Sequence, residues 1–204
     1  MPGSVIFITV LGFVIHRQIR LEPAFIATLG ACILTFISKS NLIRALKYVE
    51  WSVIIFFISL FIIIGAMEQT GLFEKMAGIG LNITGGNILP TALIILWLSA
   101  ILSAFVDNIP FVAAMIPLIQ DMGRLGGIQD LDFLWWSLSL GSCLGGNGTA
   151  IGASANVVVI GMAEKRGIHI SFIDFMKVAF PLMILSILIS SGYLLMWYYF
   201  NIMR

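Results

Sequence analysis

The sequence is poor in charged residues. Lysine, arginine, aspartate and glutamate make up only 10% of its 204 residues, whereas an ordinary soluble domain carries roughly 25%. Hydrophobic residues make up 60%, so too few polar groups remain to cover a water-facing surface, and lipid must cover most of it. With 11 basic and 10 acidic residues and no basic run, nothing points to nucleic acid binding. We therefore predict an integral membrane protein.

Residues that serve catalysis are also scarce. The two cysteines, Cys32 and Cys143, lie far apart in apolar segments, so we expect no disulfide framework and interpret each as a packing residue. The His-Glu-x-x-His motif of zinc proteases is absent. An aspartyl protease needs two facing carboxylates inside the membrane, and only Asp107 is a good candidate. We therefore predict no enzyme, no catalytic residue and no cofactor.

Apolar stretches follow one another along the chain, separated by short polar segments. A helix needs about 20 residues to cross the hydrocarbon core. Four stretches fit this length alone or with their flanks: residues 1–19, 24–37, 51–67 and 172–200. A broken helix over residues 133–163 adds one more, so we predict about five crossings. Residues 40–50 are amphipathic and are expected to lie in the headgroup layer. The fold class is therefore an all-α polytopic membrane protein.

A re-entrant helical hairpin is predicted over residues 88–120. The apolar run that ends at Phe105 is followed by Asp107, Asn108 and Pro110, and the next apolar run, 109–119, is too short to span. A carboxylate at membrane depth is costly and usually serves as an ion ligand, proton carrier or charge partner. The alternative is that Asp107 caps a turn in water. Position alone leaves both open, and the short second run favours a turn that reaches inward.

The second polar motif is Gly145-Gly146-Asn147-Gly148-Thr149, which interrupts the helix over 133–163. Glycines release the backbone, so amides and carbonyls can face a ligand, and such backbone is tolerated in a membrane only next to protein or a watery cavity. We expect the helix to resume near Ala150 with its positive end at the break, which suits an anion, whereas the preceding carbonyls suit a cation. The side chains of Asn147, Thr149, Ser154 and Asn156 add neutral donors and acceptors.

Helix packing is the alternative explanation for the second motif. Gly148, Gly152 and Asn156 recur every fourth residue, which is typical of a small-residue packing stripe. For the glycine cluster itself this alternative is weak, because three glycines in four residues would break most helices. A phosphate-binding loop is disfavoured since its lysine is absent.

These motifs together resemble the second half of the ArsB/NhaD permeases, which belong to the ion transporter superfamily with a citrate-transporter-like domain. The resemblance rests on Glu50-Trp51, Asp107-Asn108-Ile109-Pro110, the run 144–158 and Gly161-Met162-Ala163-Glu164. It implies one inverted-repeat half of a secondary transporter, with substrate and coupling ion held between hairpin tip and helix break. Carried onto this sequence, the implied binding residues are Asp107, Asn108, Gly146, Asn147, Gly148, Thr149, Ser154 and Asn156. A coupling sodium ion would involve Asp107, Asn108 and Asn147, and a proton is the alternative.

The resemblance also implies a partner, since family members are about twice as long. We expect a chain that supplies the amino-terminal half, or a homo-oligomer, in contact with the lipid bilayer and a small inorganic or organic ion. The implied functions are transport of an anion such as arsenite or a carboxylate, or sodium/proton exchange. A non-transporting scaffold, an accessory subunit and a truncated gene product remain alternatives. A slight excess of Lys and Arg in the links 39–50 and 164–171 favours a cytoplasmic amino terminus and an outside carboxy terminus, in a prokaryotic inner membrane.

Overall fold

A computed structural model describes residues 2–38, 42–47 and 49–202, and these residues are almost entirely helical. The helices, in chain order, are α1 (Pro2–Ile19), α2 (Pro23–Ile37), α3 (Leu42–Lys47), α4 (Trp51–Gln69), α5 (Leu72–Thr84), α6 (Ile88–Ser103), α7 (Asn108–Gly126), α8 (Asp132–Gly145), α9 (Ser154–Glu164) and α10 (Phe172–Trp197), followed by a π-helical turn at Tyr198–Ile202. Most of the residues predicted to form a helix at 40–50 are described, and α3 occupies their centre.

Two of these helices are each long and apolar enough to cross a membrane alone. They are α4 and the continuous helical stretch Phe172–Phe200. A third span exists if α5 and α6, which are bent by 119° at their junction, count together. The remaining apolar helices of the described ranges, α1, α2 and α9, are shorter. The predicted count of five crossings therefore stays a prediction.

The chain divides into two compact units, Met1–Phe57 and Ile58–Arg204. In the first unit α1 packs on α2 because two glycines remove the side chains that would separate them. A Cβ added at Gly12 would lie 2.8 Å from Ile26 Cγ2, and one at Gly30 would overlap Thr9. Ile26 and Gly30 are the buried positions of α2.

The second unit is built around α6 and α8. Gly141 and Gly145 of α8 face the backbone of α6, and a Cβ at Gly145 would lie 2.6 Å from Ala100 Cα. Small residues allow this approach, since helices in a membrane associate chiefly through close packing. Ser99 is buried in the same interface, and its hydroxyl has no hydrogen-bond partner among the residues that the structure describes. The close contact fixes the carboxyl end of α6 against the carboxyl end of α8.

Helix α5 contacts the start of α6 and the end of α7. Thr91 of α6 donates a hydrogen bond to Thr84 Oγ1 of α5 at 2.8 Å. At the end of α7, Arg124 forms a 3.4 Å ion pair with Glu74 of α5. The start of α6 and the end of α7 therefore lie at the same end of this unit, as in a hairpin.

Aromatic side chains join the start of α8 to the end of α10. Phe133 and Trp136 pack edge to face on Trp197, with ring centroids 5.6 and 6.1 Å apart. Tryptophan and tyrosine are enriched at the membrane interface. The link before α8 and the end of α10 consequently lie on one side of this unit.

Neither cysteine packs inside its own unit, so the interpretation of the two cysteines as packing residues stays a prediction. Cys32 and Cys143 are both exposed and both free. Each points away from the neighbouring helix on which the rest of its own helix packs, which helical periodicity alone does not reveal.

Candidate functional site

The first part of the site is the turn between α6 and α7, formed by residues 104–107. Asp107 is the N-cap of α7, and its Oδ1 accepts a 3.1 Å hydrogen bond from the Ile109 amide. This is the capping that the turn interpretation expects, because a carboxylate satisfies a free amide at a helix start. Pro110 falls in the first helical turn, where its missing N–H costs nothing. Asp107 and Asn108 are both half-buried.

Ser103, the last residue of α6, ties this turn to α8. Its hydroxyl lies within hydrogen-bonding distance of Asn108 Oδ1 and of the Ser142 carbonyl oxygen, the latter at 2.8 Å. Sequence reasoning did not select Ser103. The only available signal was a hydroxyl close to Asp107 at the end of an otherwise apolar run.

The second part of the site is the break between α8 and α9, formed by residues 146–153. We expected the helix to resume near Ala150, and that expectation is wrong: α9 begins at Ser154. The Thr149 side chain explains the delay. Its hydroxyl donates to the Ala104 carbonyl and accepts a 3.1 Å hydrogen bond from the Gly152 amide. These bonds hold residues 149–152 in a turn against the α6–α7 turn.

Two glycines of the break make this contact sterically possible. A Cβ at Gly146 would lie 2.8 Å from Asn108 Oδ1, and a Cβ at Gly152 would lie 2.8 Å from the Ala104 carbonyl oxygen. Cβ atoms essentially never approach other atoms so closely. A larger residue at either position would therefore push the break away from the α6–α7 turn.

Asn156 closes the break from the α9 side. Its Nδ2 donates to the carbonyl oxygens of Gly146 and Thr149, each at 3.0 Å. The start of α9 is thereby tied back to the end of α8. The side chain acts across the break, which a packing stripe would not require, and Gly148, Gly152 and Asn156 do not share one continuous helix.

Some of the binding residues that the resemblance implies form no hydrogen bond with the others among the described residues. Asn147 and Ser154 are exposed, and neither side chain forms a hydrogen bond within the described ranges of the chain. Asp107 forms no hydrogen bond to a residue of the break. Asn108, Gly146, Thr149 and Asn156 are therefore the predicted residues that the fold brings together, along with Ser103 and Ala104. Gly148 is packed nearby, where a Cβ would lie 3.2 Å from Ala104 Cβ.

Donors and acceptors in the break are unequally satisfied. The carbonyls of Gly146 and Thr149 both accept hydrogen bonds from Asn156. By contrast, the amides of Thr149, Ala150 and Ile151 donate no hydrogen bond to any residue that the structure describes. Thr149 and Ala150 are buried, and Ile151 is exposed. Other carbonyls of the break likewise accept no hydrogen bond from a described residue: those of Asn147, Gly148, Ala150, Ile151 and Gly152. The break thus has both unbonded N–H and unbonded carbonyl groups.

No group of three or more His, Cys, Asp or Glu side chains that could hold a metal ion occurs within residues 2–38, 42–47 and 49–202. The implied sodium ligands Asp107, Asn108 and Asn147 would instead be oxygen donors of two amides and one carboxylate. Asn108 Oδ1 already lies against the Ser103 hydroxyl.

The apolar helices define the class of the protein: it is an all-helical integral membrane protein. Comparison with known proteins then supplies the family, since the family described as citrate transporter matches residues 2–141. The chain belongs to this family, which confirms the resemblance to ion transporters. The description of the family is that of a transporter.

Individual relatives agree with the family. A protein of Mycobacterium tuberculosis named as an uncharacterized transporter is 40% identical over 198 residues, which cover 97% of this chain and 46% of that protein. An uncharacterized transporter of Synechocystis is 33% identical over 213 residues, covering 94% of this chain and 47% of that protein. The P protein of Sus scrofa is 38% identical over 208 residues, covering 92% of this chain and 24% of that protein. The chain thus spans about half the length of these bacterial relatives.

Proposed function

We propose that this chain forms one half of a secondary active transporter and binds the transported ion where the α6–α7 turn meets the break between α8 and α9. The family and the names of the relatives support transport. The observation that carries the location of the site is the set of unbonded amides of Thr149, Ala150 and Ile151. A buried amide without an acceptor costs roughly 1–3 kcal/mol, and a bound anion would satisfy it.

An anion is the substrate we propose, because the amides of Thr149, Ala150 and Ile151 donate to no described residue. The carbonyls of Gly146 and Thr149 accept from Asn156, while the other carbonyls of residues 147–152 accept from no described residue and can face a coupling cation. The start of α9 lacks a side-chain cap, so its positive end adds to the attraction. A small carboxylate suits the unbonded amides, and arsenite, which is chiefly uncharged arsenous acid near neutral pH, would accept hydrogen bonds from them through its oxygens.

Asp107 is the group we propose for the coupling ion. One of its oxygens accepts from the Ile109 amide, which leaves the other free to take up a proton or to bind sodium. The residue next to it, Asn108, touches the break through Gly146. Loading of Asp107 can therefore alter the contact on which the anion depends.

Completion of the transporter needs a second half. The bacterial relatives are about twice the length of this chain, and transporters of this kind are commonly built from inverted repeats that meet at the substrate. We propose that another polypeptide segment or a second copy of this chain supplies that half, in a prokaryotic inner membrane with the amino terminus cytoplasmic.

Coupled uptake into proteoliposomes tests the proposal. Asp107→Asn should abolish uptake driven by a sodium or proton gradient, because a side-chain amide neither takes up and releases a proton near neutral pH nor carries a negative charge. Glu164→Gln is the matched control, since Glu164 is an exposed carboxylate at the far end of α9. Citrate, arsenite and sodium/proton exchange are compared in the same vesicles. If the Asp107→Asn protein transports as well as the control, Asp107 has no part in coupling.

A non-transporting scaffold is the second candidate, and the glycine contacts favour it. Gly141, Gly145, Gly146 and Gly152 all pack against neighbouring backbone or side chains, which a purely structural role would also require. For a scaffold, copurification with a companion membrane protein would persist, while no ion gradient would drive uptake.

A further inference from the structure

One face of α8, continued by Asn147 of the break, is exposed within this unit. The exposed residues recur at the spacing of a single helix face and are called here the α8 outer row: Asp132, Trp136, Ser139, Cys143 and Asn147. The row begins at the end of the unit where Trp136 packs on Trp197. It ends at the break, because Asn147 follows Gly146 directly.

The composition of this row differs from the other exposed faces of the same unit. The outer face of α6 carries Ile94, Leu98, Ile101 and Leu102, and that of α10 carries Leu182, Leu185 and Leu188. Those faces suit lipid. The α8 outer row instead places a carboxylate, a hydroxyl, a thiol and an amide in sequence, and polar groups facing lipid without partners are unfavourable.

The hydrogen bonds of α8 support the same distinction. Serines in helices commonly bond back to a carbonyl of the preceding turn, as Ser137 does to Phe133 at 2.8 Å and Ser186 does to Leu182 at 2.9 Å. The Ser139 hydroxyl forms no such bond within the described residues, and the side-chain amide of Asn147 is likewise unbonded there. Both side chains are left available to water or to an ion.

The outer end of the row is acidic. Asp130 and Asp132 lie in the link that leads into α8, and Asp130 accepts a 2.9 Å hydrogen bond from the Asp132 amide. Asp121 of α7 and Glu74 of α5 both pair with Arg124, and Lys75 follows Glu74 in the chain. An acidic mouth raises the local concentration of cations.

We propose that the α8 outer row lines an aqueous path by which a hydrated cation, sodium or a proton, reaches the break from the side of the membrane where α8 begins. Asp132 attracts the cation, and Ser139 and Asn147 supply oxygen atoms along the way. The path rests on the proposed transport site, because it is useful only if the break binds ions. It commits the uncovered face to water, rather than to lipid or to a covering protein helix.

Cys143 is a native reporter for this path. A positively charged methanethiosulfonate reagent reacts with a thiolate, forming a mixed disulfide and releasing methanesulfinate. Thiolates form where water reaches the sulfur and not in hydrocarbon. The full protein, in membrane fragments open on both faces, is treated with the reagent, and mass spectrometry reports modification of Cys143 and Cys32 separately. No substitution is needed for this first measurement.

A matched control places a thiol on a lipid-facing surface. The triple variant Cys32→Ser, Cys143→Ser, Leu188→Cys carries its only cysteine on the outer face of α10. We expect Cys143 in the Cys32→Ser protein to react at least about tenfold faster than this control, as a wetted thiol should. Equal rates, or an unreactive Cys143, would overturn the path, because the face would then be covered by lipid or protein.

The labelling and the uptake assay fail independently. If Asp107→Asn leaves uptake unchanged while Cys143 reacts rapidly, the proposed coupling fails and the aqueous face stands. If uptake depends on Asp107 but Cys143 is inert, the ion reaches the break by another route and the inference drawn from α8 is wrong.

Discussion

Replacing Thr149 with valine tests the contact on which the candidate site depends. Thr149 is fully buried, and valine has nearly the same shape, so packing is preserved while the hydroxyl is lost. The Ala104 carbonyl then loses the hydrogen bond from this hydroxyl, whereas the Gly152 amide keeps a 3.4 Å hydrogen bond to the Thr149 carbonyl. One unpaired buried group costs roughly 1–3 kcal/mol, a substantial share of the stability of an ordinary domain, about 5–15 kcal/mol.

Thr149→Ser is the matched control for this substitution. Serine keeps the hydroxyl and loses only one buried methyl group, worth roughly 1 kcal/mol. Unfolding of the purified proteins by heat and by denaturant in one detergent should rank wild type above serine and serine above valine. Uptake should follow the same order, because the turn and the break separate when the hydroxyl is absent. A valine variant as stable and active as the serine variant would refute the assignment of these two hydrogen bonds.

Three further substitutions probe neighbouring contacts. Gly146→Ala places a methyl group 2.8 Å from Asn108 Oδ1. The overpacking should cost roughly 1–3 kcal/mol and lower uptake about 5- to 150-fold at limiting substrate. Gly161→Ala is the control, because its methyl group meets open space, and this variant should transport normally. Asn156→Leu removes both hydrogen bonds across the break and should speed hydrogen–deuterium exchange there, with unchanged exchange counting against the bracing role. Trp97→Phe removes the 3.1 Å bond to Ser191 and should cost about 1 kcal/mol in unfolding experiments without altering uptake; a transport defect would contradict a purely structural role.

Much of the helical framework could be predicted from the sequence, because helix limits depend on local features. Helix α2 begins at Pro23 and α4 at Trp51, within one residue of the predicted starts at residues 24 and 51. The predicted hairpin range 88–120 corresponds to α6 and α7, although α7 continues to Gly126. Helix ends at Gly and Pro are encoded by the residues that form them, which is why these limits agree.

The restart of the broken helix could not be predicted in the same way. Residues 150–153 have no local feature that forbids a helix, and we expected one from Ala150. The Thr149 hydroxyl instead bonds to Ala104, 45 residues earlier in the chain. A contact between distant segments overrides the local preference, and nothing in the spacing of the apolar residues indicates it.

The sequence by itself determined that this is a membrane protein, because its overall composition leaves too few polar residues for a surface in water. It also determined that the helix is interrupted near Asn147, because the glycine cluster there acts locally. Only the tertiary structure decided which polar groups meet: Ser103 and Ala104 join the site, whereas Asn147 and Ser154 remain exposed. It also decided which backbone groups of the break are bonded: the carbonyls of Gly146 and Thr149 accept from Asn156, whereas the amides of Thr149, Ala150 and Ile151 donate to no described residue. The physical reason is that hydrogen-bond partners are assigned by the packing of α6 on α8, and that packing depends on the whole unit.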